Sequence, residues 1–63
     1  MSRLQKFIEN QLLLAQYEYD ESVRRWIGWI PRFRGVYSQG RTIEIVRNEL
    51  AEILLELGFW RSF

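Results

Sequence analysis

Five arginines fall between positions 24 and 41, at Arg24, Arg25, Arg32, Arg34 and Arg41, with Trp26 and Trp29 among them. Guanidinium groups pair with phosphate oxygens through parallel N–H donors, and indole faces stack on bases. That combination is the chemistry of a nucleic-acid surface. It is also what a solvated loop carries, because mixed charges are normal on a surface, and the chain as a whole is nearly neutral at +1. The carboxylates offer less. Metal-dependent phosphodiester cleavage gathers several acids around two ions. Here the one aspartate is Asp20, and Glu44, Glu49, Glu52 and Glu56 are strung along one helical segment. Histidine and cysteine are both absent, which removes the commonest metal ligand and general base and all thiolate chemistry. No catalytic residue, metal site or cofactor is therefore expected.

The elements that position these residues can be read in order. Ser2 followed by Gln5 fits a reciprocal cap at the start of a helix running to about Leu13. Leu4, Phe7, Ile8 and Leu12 fall on one face of it. In "LAQYEYDE", Ala15, Tyr17 and Tyr19 alternate with Gln16, Glu18 and Asp20, the period of a half-buried strand. After the polar "DESVR" comes "RWIGWIP", with Trp26, Gly28 and Ile30 on one side and Ile27 and Trp29 on the other. Gly28 between two tryptophans marks a place where something packs against the backbone. Pro31 lacks a donor and closes the strand; Gly35 can take the positive φ of a tight turn. "VYSQ" is a third short strand, ended by Gly40. Thr42 then caps "TIEIVRNELAEILLEL", whose apolar stripe is Ile43, Val46, Leu50, Ile53, Leu54 and Leu57. Gly58 either ends this helix or lies within it as it runs on toward Arg61.

The order α-β-β-β-α with short connections demands antiparallel strands, since a parallel link needs a long crossover. The expected fold is α+β: a three-stranded antiparallel meander packed by helices, forming one domain over residues 1–63. A chain of 63 residues buries only roughly 60% of its unfolded surface, and without staples self-association is a common remedy. "MSRLQKFIEN" is broken by polar and charged groups and does not read as a signal peptide. No apolar run approaches the roughly 20 residues that span a bilayer. A cytoplasmic location without membrane association is expected.

The stretch "AQYEYDES…WIGWIPRFRGVYSQGRTIEIVRNELAEILLE" resembles the HicB-like antitoxin domain of toxin–antitoxin pairs. The resemblance is carried by Ile30-Pro31, Phe33, Gly35-Val36, Ser38-Gln39-Gly40 and Thr42-Ile43-Glu44, and continues through Asn48, Leu50 and Glu52. It spans about Leu4 to Leu57, and the leading helix is similar to one branch of that family. The sequence departs from the pattern at Arg32, where the family has Asp or Gly, and at Arg41, which replaces a frequent acid. It departs again at Ile45, where the family has the Glu of a capping box. The resemblance implies a truncated RNase H-like fold without enzymatic activity, and a partner that is a small HicA-like ribonuclease toxin, covered by the antitoxin. Many family members add a DNA-binding module; no such module follows in this sequence, so direct DNA binding is not expected.

Two function classes follow. The first is a protein-binding module that sequesters a small toxin and self-associates as a homodimer or tetramer. Its candidate contact residues are Ile27, Trp29, Arg32, Phe33, Arg34, Glu44 and Glu52, with Pro31, Gly35, Gly40 and Thr42 shaping the backbone. The second is a small nucleic-acid-binding domain, because α-β-β-β-α is also the order of the double-stranded-RNA-binding fold. That fold meets phosphates with a lysine-rich start to its last helix. Here the helix opens "TIEIVRNE", with two acids that suit the helix dipole and repel phosphate.

Overall fold

A computed structural model describes the backbone of residues 2–61 and the side chains of residues 2–57. The elements are α1 (Arg3–Leu12), β1 (Gln16–Asp20), β2 (Arg25–Trp29), β3 (Tyr37–Gly40) and α2 (Ile43–Arg61). The α-β-β-β-α order and the antiparallel meander are as the sequence predicts. The sheet order is β1-β2-β3. Tyr17 and Ser38 flank Gly28, while Gln16 and Tyr37 flank Trp29.

Helix α1 begins as its first residues require. The Ser2 hydroxyl accepts the Gln5 N–H at 3.1 Å, and the Gln5 side-chain oxygen accepts the Ser2 N–H at 3.1 Å. It ends without glycine, in tightened turns in which Leu14 and Ala15 donate to the carbonyls of Gln11 and Leu12. Thr42 caps α2, its hydroxyl accepting the Ile45 N–H at 3.1 Å. Ile45 has no polar group to return the bond, so this cap is one-sided. Helix α2 does not stop at Gly58 but continues through it to Arg61. Ser62 and Phe63 lie outside the described residues.

Both helices lie on one side of the sheet. The buried core is Ile30, Val36, Val46, Leu50 and Leu54, with Phe7, Ile8, Leu12, Ala15, Tyr17, Trp26, Phe33 and Ile53 packed around it. The expected α2 stripe is wider than the buried one: Ile43 and Leu57 are exposed. They sit at the ends of the stripe, where α2 overhangs the short strands. The sequence pattern opens the third strand at Val36, which instead closes the preceding loop, while its side chain still enters the core. The close approach foreseen at Gly28 is there. A Cβ at that position would stand 2.4 Å from Val46 Cγ1, so β2 and α2 meet with no room for a side chain between them.

Two buried positions are polar, Gln11 and Ser38. Gln11 falls in the same α1 stripe as Phe7, Ile8 and Leu12, is 6% exposed, and its Oε1 has no hydrogen-bond partner among the described residues. A buried acceptor left without a donor costs about 1–3 kcal/mol. Gln11→Met keeps the shape and removes the acceptor. The expected result is a protein about 1 kcal/mol more stable, read as a higher urea midpoint with an unchanged slope.

Candidate protein-interaction surface

Strand alternation sorts the site residues. Gly28 faces Val46 and Ile30 is buried beside it, so Ile27 and Trp29 point to the opposite face of the sheet. No helix among the described residues covers that face. On it, Trp29 stands across from Tyr37 on one side and Gln16 on the other, and Ile27 stands between Glu18 and Gln39. Ile27 and Trp29 are half-buried, and Tyr37 is 66% exposed. The result is an apolar centre of Ile27, Trp29 and Tyr37 with a rim of Gln16, Glu18, Arg25 and Gln39. An apolar patch rimmed by polar groups marks a surface for another protein.

The loop from Ile30 to Val36 holds Pro31, Arg32, Phe33, Arg34 and Gly35. It is two successive turns. Phe33 donates to the Ile30 carbonyl at 3.0 Å, and Val36 donates to the Phe33 carbonyl at 3.3 Å. Pro31 occupies the second place of the first turn, where its fixed φ fits. Gly35 sits at φ 81° in the second, a value that favours glycine. Ile30 donating to Val36 at 3.1 Å closes the hairpin. Phe33 does not join the outward surface: its ring meets Phe7 edge-on at 6.2 Å and packs toward the core. Arg32 and Arg34 are exposed, with the Arg32 guanidinium 5.9 Å from the Phe33 ring centre.

The arginines do not form one strip. Arg32 and Arg34 lie in the loop beyond one end of β2. Arg24 and Arg25 lie at its other end, and Arg41 follows Gly40, the partner of Trp26. The sheet thus separates two small basic clusters. Glu44 and Glu52 are exposed on α2, on the helical side of the molecule, and are not brought together with Ile27 and Trp29. Glu49 is engaged by the buried Ser38 hydroxyl, which donates to its carboxylate and ties β3 to α2. The surface residues that sequence reasoning missed are Tyr37 and Glu18. Their signal was available in the register, since a hairpin closed at Ile30 and Val36 sets Tyr37 beside Trp29.

The β1–β2 loop carries the remaining polar features. Tyr19, Glu21 and Arg24 line an open cavity of about 310 Å³, and Arg24 takes φ 54° to complete the turn. Asp20 Oδ1 accepts the Ser22 hydroxyl at 2.6 Å and the Ser22 N–H at 2.9 Å. These bonds, the hydroxyl first, hold its carboxyl below the ordinary aspartate value of 3.8. A depressed carboxylate stabilises the fold above 3.8, and that contribution is lost as pH falls through the lowered value. Asp20→Asn is therefore expected to flatten the acid side of the stability curve by lowering the melting temperature modestly at neutral pH, where the carboxylate's contribution is fully present, and leaving it nearly unchanged in acid, as measured by thermal melts across pH. Among the described residues, no three of His, Cys, Asp or Glu are grouped to hold a metal ion, and no helix is long and apolar enough to cross a membrane.

The same architecture occurs in a solved protein. The crystal structure of TTHA0281 from Thermus thermophilus superposes with a TM-score of 0.82 at 23% identity, over 95% of this chain and 79% of that one. At that identity the likeness is one of fold. Among curated proteins, none matches the sequence. The model of the UPF0150-like family matches residues 6–57, nearly the whole of the α-β-β-β-α unit, and the chain belongs to that family.

Proposed function

We propose that the protein is a non-catalytic, protein-binding module of the HicB antitoxin type, which covers a small HicA-like ribonuclease and also associates with itself. The observation that carries this reading is the uncovered sheet face. Ile27, Trp29 and Tyr37 form an apolar centre without a helix over it among the described residues, flanked by two strand edges with open backbone groups. Such a face with open edges is suited to a partner that adds a strand or lays down an apolar segment. The resemblance through Ile30-Pro31, Ser38-Gln39-Gly40 and Thr42-Ile43-Glu44 names the class of partner. The rim acid Glu18 gives a basic toxin an attraction at the face itself, and Glu44 and Glu52 add to the longer-range field. The division of the arginines between opposite ends of β2 favours this reading over nucleic-acid binding, which is served by one continuous basic track.

The test is calorimetric titration with a HicA-like ribonuclease, the first choice being a product of the neighbouring reading frame, together with an RNA-cleavage assay. The expected result is a saturable complex and suppressed cleavage. Absence of heat with undiminished cleavage overturns the reading. Binding to short RNA that weakens steeply with log salt replaces it with the nucleic-acid alternative.

A further inference from the structure

The two open edges of the sheet differ in charge, and that difference selects between them. In an antiparallel ladder, alternate residues direct their backbone groups to one neighbour or the other. Ile30 bonds to Val36, so the pairs that continue this rhythm are Gly28–Ser38 and Trp26–Gly40. The N–H and C=O groups of Tyr37 and Gln39 therefore face the open side of β3. On β1 the same alternation turns the groups of Tyr17 and Tyr19 outward.

A two-fold axis normal to the sheet would pair an edge with its own copy, antiparallel, with residues of the same face opposite one another. For β1, the register that pairs the whole strand sets Glu18 against Glu18. The register centred on Tyr19 sets Glu18 against Asp20, whose carboxyl the Ser22 bonds hold ionised. Acids directly opposite repel; only a pairing shortened to Gln16–Glu18 avoids them. For β3, Tyr37–Gly40 contains no charge and no proline, the groups with which natural edge strands block pairing. An axis through Ser38 would bring together the two Glu49 carboxylates that the Ser38 hydroxyls hold. An axis through Gln39 avoids this. It sets one Gln39 amide against the other on the outer face and Tyr37 across from the partner's Arg41, a ring–guanidinium pair.

We propose that the β3 edge, centred on Gln39, is where two copies of this chain join, giving one continuous six-stranded antiparallel sheet with all helices on one side. The assignment rests on the self-association proposed above and names its surface. It leaves the acidic β1 edge for a different, basic partner, and it extends the Ile27–Trp29–Tyr37 patch across both copies.

The full chain is tested by light scattering and by cross-linking. Wild type is expected at twice the 7.7 kDa chain mass. Gln39→Lys sets like charges opposite one another and is expected to weaken the dimer about tenfold or more, with an unchanged circular dichroism spectrum. Because the chain has no cysteine, Gln39→Cys is expected to trap a disulfide-linked dimer on mild oxidation, while Glu18→Cys does not. This second variant decides the matter if Gln39→Lys fails to fold. A wild-type monomer, a dimer indifferent to Gln39→Lys, or cross-linking at Glu18→Cys in place of Gln39→Cys overturns the assignment. A monomer that still captures the ribonuclease removes this edge pairing and leaves the antitoxin reading standing.

Discussion

Gly28→Ala is expected to destabilise the protein by about 1–3 kcal/mol, the range for overpacking a filled core. At roughly 0.05–0.15 kcal/mol per residue, a chain of this size holds only about 3–9 kcal/mol in total, so the loss is a large share. The sign is what makes the experiment informative. Alanine in a strand ordinarily gains over glycine, because glycine loses more freedom on folding. Here the added methyl would stand 2.4 Å from Val46 Cγ1 and 3.0 Å from the Tyr17 ring. Val46 is fully buried on α2 and has nowhere to retreat. The same substitution at Gly35 meets nothing within 4 Å and is opposed only by its φ of 81°. The clash predicts its own relief. Val46→Ala alone leaves a cavity, but in the Gly28→Ala background it accepts the new methyl. The double variant is expected to be more stable than the sum of the singles by about 0.5–3 kcal/mol. Urea unfolding followed by tryptophan fluorescence gives all four stabilities. Additive losses would show that β2 and α2 are not in contact at this point.

The same position shows what the sequence made legible. Gly28 between tryptophans could be read as a close approach because only a residue without a side chain tolerates one. The capping box at Ser2 and the cap at Thr42 were legible because they are local, each settled within three residues. The alternation of Ala15, Tyr17 and Tyr19 against Gln16, Glu18 and Asp20 gave the strand, and Pro31 with Gly35 gave its turn. What needed tertiary information was less accessible. Nothing local distinguishes Ile43 and Leu57 from Val46 and Leu50; exposure at the ends of α2 follows from the helix outrunning the strands beneath it. Gln11 looks like a surface residue, and its burial follows only from its place in the α1 stripe against α2. Phe33 lies between two exposed arginines in the sequence, yet the double turn folds it inward onto Phe7. Glu44 and Glu52 share a charge type with Glu18 but occupy the opposite side of the sheet, a separation set by the packing of α2 on β2.

Trp29→Ala is expected to weaken capture of the proposed ribonuclease partner by about 2 kcal/mol or more, roughly thirtyfold. Large rings near the middle of a water-excluding rim carry most of an interface's energy. Trp29 meets that description: it is on the central strand, half-buried, between Tyr37 and Gln16, and on the face that α2 does not cover. Glu52→Gln provides the contrast. Glu52 is exposed on the helical side, where a charge steers approach and is screened within about 10 Å at 0.1 M salt. Its loss is expected to slow association by a few-fold at low salt and to vanish at high salt. The two variants therefore separate the candidate surfaces by kinetics as well as by affinity. Loss at Trp29 should appear in the dissociation rate and persist in salt, because truncating a desolvated ring removes contacts that exist only in the bound state. If instead Glu52→Gln abolishes capture and Trp29→Ala leaves it intact, the partner docks on α2, and the open sheet face has another occupant. Melting curves for both variants keep the comparison fair, since Trp29 also shields part of the sheet. Its truncation costs stability in the free protein, whereas the affinity loss is measured on the folded fraction alone.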